Sequence, residues 1–217
     1  MASVVPAVIP ESEAHLTDTL SAVLPWSPEI QVDIVDGLFV PHTSWPYKGG
    51  AVHALSAFSN TIIIEVDLMV QEPETVVESY LQAGVKRVVV HLESVKNLAV
   101  IVALKQKYPF LLGFSIGNDT PLETLQNVVG YADYVQLMGI ASIGAQGQSF
   151  DTRVLDRIRA VRHAHGTLPI SIDGSVNTAT IEALVEVGAD RLVSGSAILS
   201  ADEPDRAYQT LAHLASS

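Results

Sequence analysis

Short apolar runs rich in Val and Ile alternate along the chain with longer stretches in which apolar residues recur every three to four positions. The first kind of run suits a parallel strand buried on both faces, and the second is the stripe of a crossover helix that covers it. Eight strands are predicted, over residues 4–9, 30–35, 62–69, 87–91, 111–116, 134–138, 169–173 and 191–194. Helical segments follow them at 13–24, 50–58, 73–83, 95–107, 121–129, 151–165, 177–187 and 202–214. Thr120-Pro121 ahead of Glu123 and Asn177 ahead of Thr178 offer helix-entry chemistry, a capping oxygen and a first-turn proline. The phrases Gln82-Ala83-Gly84-Val85-Lys86-Arg87 and Glu186-Val187-Gly188-Ala189-Asp190-Arg191 put glycine where a helix hands over to a strand, and read as one turn used twice. Eight βα units in 217 residues favour an α/β fold closed as a single (β/α)8 TIM barrel. An open doubly wound sheet usually stops at fewer strands and carries a glycine-rich turn after its first strand. Here that turn reads Pro10-Glu11-Ser12. No linker or break in composition interrupts the pattern, so residues 1–217 are expected to form one domain.

Charge and composition narrow the function. Twelve Lys and Arg stand against 24 Asp and Glu, a formal net charge of −12. That balance repels a phosphate backbone, so nucleic acid and anionic membrane surfaces are not expected as partners. The absence of cysteine removes disulfides, thiolate zinc sites, iron–sulfur clusters and cysteine nucleophiles together. Any metal must be held by His, carboxylate or amide groups. No apolar run approaches the roughly 20 residues of a membrane span, and residues 1–10 lack the basic start of a secretory leader. A cytoplasmic protein acting on a small molecule is the expectation, with a homo-oligomer left open.

In a closed barrel the chemistry gathers at the C-terminal ends of the strands. Strand two ends Gln31-Val32-Asp33-Ile34-Val35-Asp36-Gly37, and alternation puts Gln31 and Asp33 on the interior side. Strand three closes with Glu65-Val66-Asp67-Leu68-Met69, where Asp67 takes the equivalent place if Glu65 lies deeper or outside. Strand seven ends Ser171-Ile172-Asp173-Gly174-Ser175. A lone strand-end aspartate is as readily a loop cap, but three at one mouth are costly unless paired, protonated or bound to a cation. A second constellation is neutral: Ile143-Gly144-Ala145-Gln146-Gly147-Gln148 after strand six, Gly174-Ser175 after strand seven, and Gly195-Ser196 after strand eight. Backbone amides in such loops, and at the start of a short helix after strand eight, form a phosphate cradle that needs no lysine or arginine.

The phrases Val32-Asp33-Ile34-Val35-Asp36-Gly37-Leu38-Phe39-Val40-Pro41, Val66-Asp67-Leu68-Met69-Val70, Gly147-Gln148-Ser149-Phe150, Ile172-Asp173-Gly174-Ser175-Val176-Asn177 and Gly195-Ser196-Ala197-Ile198 resemble, in order and spacing, the ribulose-phosphate 3-epimerase family. The resemblance covers essentially the whole chain. It implies a TIM barrel and a phosphorylated ketose ligand. It further implies that Asp33 and Asp173 ligate a divalent metal and act as acid and base, and that Met69 and Met138 line the pocket. The chain also departs from the family. Gln31 and Asp67 stand where members carry two metal-ligating histidines, Ala7 stands where a serine faces the substrate, and His42 replaces an asparagine.

The remaining set of Gln31, Asp33, Asp67 and Asp173 is all oxygen, which suits Mg²⁺ or Mn²⁺ better than Zn²⁺. The competing picture is a site without metal, in which the Gln31 amide bonds Asp67. His91 at the end of strand four matches a family histidine and reads as a hydrogen-bonded structural imidazole. His42 is open as a replacement ligand or a substrate contact. The function expected is 3-epimerisation of a sugar phosphate; the alternative is a phosphosugar-binding barrel that has lost or changed that activity. Aldol or decarboxylase chemistry on the same cradle is disfavoured, because strand three offers Asp67-Leu68-Met69 and no lysine.

Overall fold

In the computed structural model, which describes residues 2–144 and 147–216, eight strands close into a barrel in the order β1-β2-β3-β4-β5-β6-β7-β8. They are β1 Ser3–Val8, β2 Glu29–Val35, β3 Ile63–Met69, β4 Arg87–His91, β5 Leu111–Ile116, β6 Tyr134–Met138, β7 Ile170–Asp173 and β8 Arg191–Ser194. Four strands have their predicted bounds; the others differ by one residue at one or both ends. Their Val, Ile and Leu side chains are almost all buried, as expected of strands with a barrel interior on one face and helices on the other.

The helices are α1 Glu13–Val23, α2 Val77–Gln82, α3 Leu98–Ala103, α4 Glu123–Gln126, α5 Arg153–His165, α6 Ile181–Glu186, α7 Ser196–Leu199 and α8 Pro204–Leu214. The long ones follow from their stripes. Leu16, Leu20 and Val23 of α1, and Val154, Ile158 and Val161 of α5, are buried at spacings of three to four, each burial stabilising by about 1.5–3 kcal/mol. The Ser12 hydroxyl caps α1 by accepting from the His15 backbone N–H at 3.1 Å. The helix expected over 50–58 is a 3₁₀ segment, Val52–Ala57. Leu55 is its one buried residue, so it has no stripe to support a full α-helix. The Thr120-Pro121 entry also differs. Helix α4 begins at Glu123 without a side-chain cap, and the Pro121 carbonyl accepts from Thr124 N–H at 3.1 Å in a single tight turn. Asn177 lies ahead of α6, which begins at Ile181 without a side-chain cap; its side-chain oxygen accepts from Ala179 N–H at 2.9 Å in the turn before the helix.

The repeated turn is confirmed in detail. Gly84 (φ 93°) and Gly188 (φ 104°) are left-handed, and each ends its helix with the same pair of bonds. Val85 N–H reaches Tyr80 O and Gly84 N–H reaches Leu81 O; Ala189 N–H reaches Leu184 O and Gly188 N–H reaches Val185 O. This double closure satisfies the last helical carbonyls and needs a residue that tolerates positive φ.

The chain groups into two compact units, Val8–Gly113 and the run from Phe114 on together with the residues before Val8. In the first, β2, β3 and β4 lie in register so that Gln31, Glu65 and Arg87 form one row and Asp33, Asp67 and Val89 the next. Partners in register share a face, so Glu65 occupies the row beneath Asp67. In the second unit, Gln136, Ser171 and Arg191 form one row and Met138, Asp173 and Val193 the next. Among the described residues no helix is long and apolar enough to cross a membrane.

Candidate active site

The strand-end aspartates come together. One carboxylate oxygen from each of Asp33, Asp67 and Asp173 lies within 4.8 Å of the others. Oxygen ligands about 2.0–2.6 Å from one hard cation stand at such separations, so the cluster could hold a divalent ion, and its all-oxygen character fits a hard one.

Two neighbouring groups organise these carboxylates. Gln31, fully buried, donates from Nε2 to Asp33 Oδ1 at 2.8 Å. The amide therefore presents its NH₂ end to the cluster member beside it, and its Oε1, also buried, is the atom through which Gln31 could ligate a cation. His91 Nε2 lies 3.0 Å from Asp67 Oδ1, and both side chains are 0% exposed. Two bonds are therefore seen at this cluster, Gln31 to Asp33 and His91 to Asp67. His91 is a hydrogen-bonded buried imidazole, as expected.

The segment after β2 is built around Asp36. Its Oδ1 accepts from Leu38 N–H (2.8 Å) and Phe39 N–H (3.0 Å), and its Oδ2 from Gln71 N–H (2.8 Å). One carboxylate thereby joins the loops after β2 and β3, a backbone role invisible in a phrase whose two aspartates look equivalent. The Phe39 ring so placed packs on His91, centroids 5.4 Å apart. Buried Ser44 fastens the same segment to β2, accepting from Val35 N–H at 2.9 Å. His42 lies 3.5 Å from Glu11 Oε1, and Lys48 pairs with the same carboxylate, which Lys48 holds below its ordinary pKa. His42 is therefore engaged with the loop after β1.

The neutral constellation is a set of stitched loops. Gly139 N–H donates to Asp173 O (2.7 Å) and Asp151 N–H to Gly139 O (2.8 Å). A side chain at Gly139 would stand 2.1 Å from the Gly174 carbonyl oxygen, so only glycine permits this approach of the β6 and β7 loops. The Ser175 hydroxyl donates to the Gln148 carbonyl, and the Gln148 amide in turn braces Ser142 O. Ser194 Oγ donates to Val176 O at 2.8 Å, which ties the end of β8 to the loop after β7. Gly144 (φ 88°), Gly147 (φ 73°), Gly174 (φ 99°) and Ser175 (φ 54°) all have left-handed backbone. Ala145 and Gln146, part of the expected glycine-rich loop, lie outside the described residues. Gly195 precedes α7, whose first residue is Ser196. Met69 and Met138 are buried, and Ser115 Oγ contacts Met138 Sδ at 3.6 Å.

A further network was not foreseen. Asp151 accepts from Arg153 and from Asn118 Nδ2 (3.0 Å), and Arg153 also pairs with Asp119 at 2.7 Å. The guanidinium beside it holds the Asp151 carboxyl down at about 2. Asn118-Asp119 and Asp151-Thr152-Arg153 are separate phrases, Asn118 and Asp151 being 33 residues apart, and no motif joins them.

Comparison with known proteins gives a consistent result. The Ribulose-phosphate 3 epimerase family pattern matches residues 3–199. The ribulose-phosphate 3-epimerase of Mycobacterium tuberculosis is 31% identical over 214 residues, covering 96% of this chain and 90% of that protein. That of Bacillus subtilis is 28% identical over 97% of this chain and 98% of the relative. Among solved structures, a 3-hexulose-6-phosphate synthase superposes with a TM-score of 0.73 at 21% identity, covering 98% of this chain and 99% of that one. A 3-keto-L-gulonate-6-phosphate decarboxylase from Vibrio cholerae gives 0.75 at 15% identity, over 99% and 97%. At those identities the two structures speak for the barrel fold alone.

Proposed function

Because the chain belongs to the ribulose-phosphate 3-epimerase family, we propose that it inverts C3 of a phosphorylated ketose by proton transfer between the carboxyl groups of Asp33 and Asp173. Membership makes it an enzyme of the epimerase class; the substrate and the two-carboxylate mechanism are our reading. The observation that carries it is the convergence of the strand-end aspartates within 4.8 Å, which puts a second acid–base group within reach of a carbon that the first can reach. One carboxylate takes the C3 proton, leaving an enediolate. The other, carrying a proton, returns it to the opposite face of C3, and the roles exchange in the reverse direction. The Gln31 NH₂ on Asp33 Oδ1 holds that carboxylate's orientation, and Met69 and Met138 give the sugar an apolar wall.

Asp33, Asp67 and Asp173 would hold the cation, Mg²⁺ or Mn²⁺ in preference to Zn²⁺ on donor chemistry. When bound, such an ion polarises the ketone and offsets the charge of the enediolate. The phosphate is assigned to the backbone N–H groups of the stitched loops at Gly144, Gly147, Gly174, Ser175, Gly195 and Ser196, with Gln148 bracing them. Ser175, a non-glycine residue at φ 54°, supports this reading, since such strain gathers at ligand clamps.

The test is exchange of the C3 proton of D-ribulose 5-phosphate in D₂O, followed by NMR on the purified protein with and without Mn²⁺. Deuterium at C3 together with formation of the 3-epimer is the expected result. Tight binding of the sugar phosphate without exchange would instead establish the alternative, a phosphosugar-binding barrel that has lost epimerase activity.

A further inference from the structure

We propose that His91 is a positioning residue for the cation site. It fixes the direction of the Asp67 carboxylate, and is itself fixed by Phe39; the inference rests on the cation reading above. An aspartate side chain has several rotamers open to it, and a ligand oxygen displaced by even half an ångström loses affinity. Asp67 stands beside Asp33 in register, so its backbone is set by the sheet, while its Oδ1 is held by the 3.0 Å contact with His91 Nε2.

His91 is in turn constrained at its ring and at its backbone. Its ring packs against Phe39 at 5.4 Å between centroids, tilted by 47°. Its backbone carbonyl accepts from both Ser94 N–H and Ser94 Oγ, each at 3.0 Å. Phe39 is placed by the bond from its own N–H to Asp36. A continuous set of contacts thus runs from the loop carboxylate Asp36 through Phe39 and His91 to Asp67.

The chemistry inverts the common arrangement. Usually an imidazole ligates the metal and a carboxylate behind it fixes the ring. Here the carboxylate faces the other carboxylates and the imidazole stands behind. Nitrogen is withdrawn from the metal's own contacts without loss of the orienting hydrogen bond, so the site stays hard while its geometry stays defined.

The experiment is Mn²⁺ titration of the purified protein, followed by the EPR signal of the free ion, with far-UV circular dichroism on every variant. Loss of an orienting partner typically costs about 10–100-fold in metal affinity, so His91→Leu should weaken binding by that factor. His91→Gln, which keeps an N–H donor, should restore it to within a few-fold of the unaltered protein. Phe39→Leu leaves the hydrogen bond in place but frees the ring, and should weaken binding by about 3–10-fold, below the range for losing the orienting partner itself. A folded His91→Leu protein that binds Mn²⁺ as the unaltered protein does overturns the positioning role and leaves the cation site standing. If His91→Leu fails to fold, His91→Met, which also lacks a donor, takes its place, and unchanged binding there overturns the role equally; unchanged binding in Phe39→Leu overturns the part given to Phe39. Absence of saturable Mn²⁺ binding in the unaltered protein removes the cation reading, and the role of His91 with it.

Discussion

The ends of β2 to β4 and the ends of β6 to β8 are built from different materials. On the first set, side chains do the work: Gln31, Asp33, Asp67 and His91 form two buried hydrogen-bonded pairs inside the sheet. On the second, the backbone does, in loops that close on one another through Gly139, Gly174 and Ser175; Asp173 is the carboxylate that this second set contributes. The difference teaches that proton transfer and anion binding have unequal structural demands. A proton-transfer group must be held by neighbours that can be exchanged one at a time, whereas an amide cradle depends on positive φ and close approach, which few substitutions tolerate.

The comparison breaks most sharply at the aspartates. Asp33→Asn or Asp173→Asn should lower C3 exchange by about 10²–10⁴-fold, the range of general acid–base catalysis, with the KM for the sugar phosphate little changed; steady-state kinetics with exchange measured by NMR will show it. A glycine on the other side should do the reverse. Gly174→Ala places a Cβ 2.8 Å from the Ile140 side chain at φ +99°, and should raise KM by about 10-fold or more with a smaller change in kcat, as loss of uniform binding does.

Gly139→Ala is the harsher backbone test. Its Cβ would meet the Gly174 carbonyl oxygen at 2.1 Å, an overpacking that backbone shift alone can relieve, costing about 3 kcal/mol by urea denaturation. The metal preference should respond to Asp67→His, which returns nitrogen to the cluster and should shift competition between Zn²⁺ and Mn²⁺ toward Zn²⁺ by about 10-fold, read by elemental analysis after dialysis against both ions.

The smallest effect concerns pH. Arg153 lowers the Asp151 carboxyl from 3.8 to about 2. A depressed carboxylate stabilises the folded state above its unfolded pKa, and that contribution is lost as pH falls from about 4 to about 2. The urea midpoint of the unaltered protein should therefore fall more steeply over this window than that of Asp151→Asn.

Much of this was legible in the sequence because the signals were redundant. Val-Val-Val ahead of His91 and the apolar run of β5 admit only strands, and the paired glycine turns at Gly84 and Gly188 mark where helices end. The segment at 50–58 misled because alanine and leucine there mimic a helical stripe, yet Leu55 alone has a buried place to occupy. At the site, composition pointed to the carboxylates but not to their partners. Asp67 and His91 are 24 residues apart, and no local pattern reports a contact between neighbouring strands. Asp36 was hidden for the opposite reason, since it shares its phrase with Asp33 while serving the backbone.

The amide character of the proposed cradle also governs how a substrate arrives. A chain of net charge −12 repels an approaching dianion at long range, and uncharged peptide donors exert little attraction until the phosphate is nearly in contact. Added salt shortens the reach of that repulsion, to about 10 Å at 0.1 M. Encounter should therefore quicken with ionic strength, opposite to the slowing seen when lysines and arginines draw an anionic ligand in.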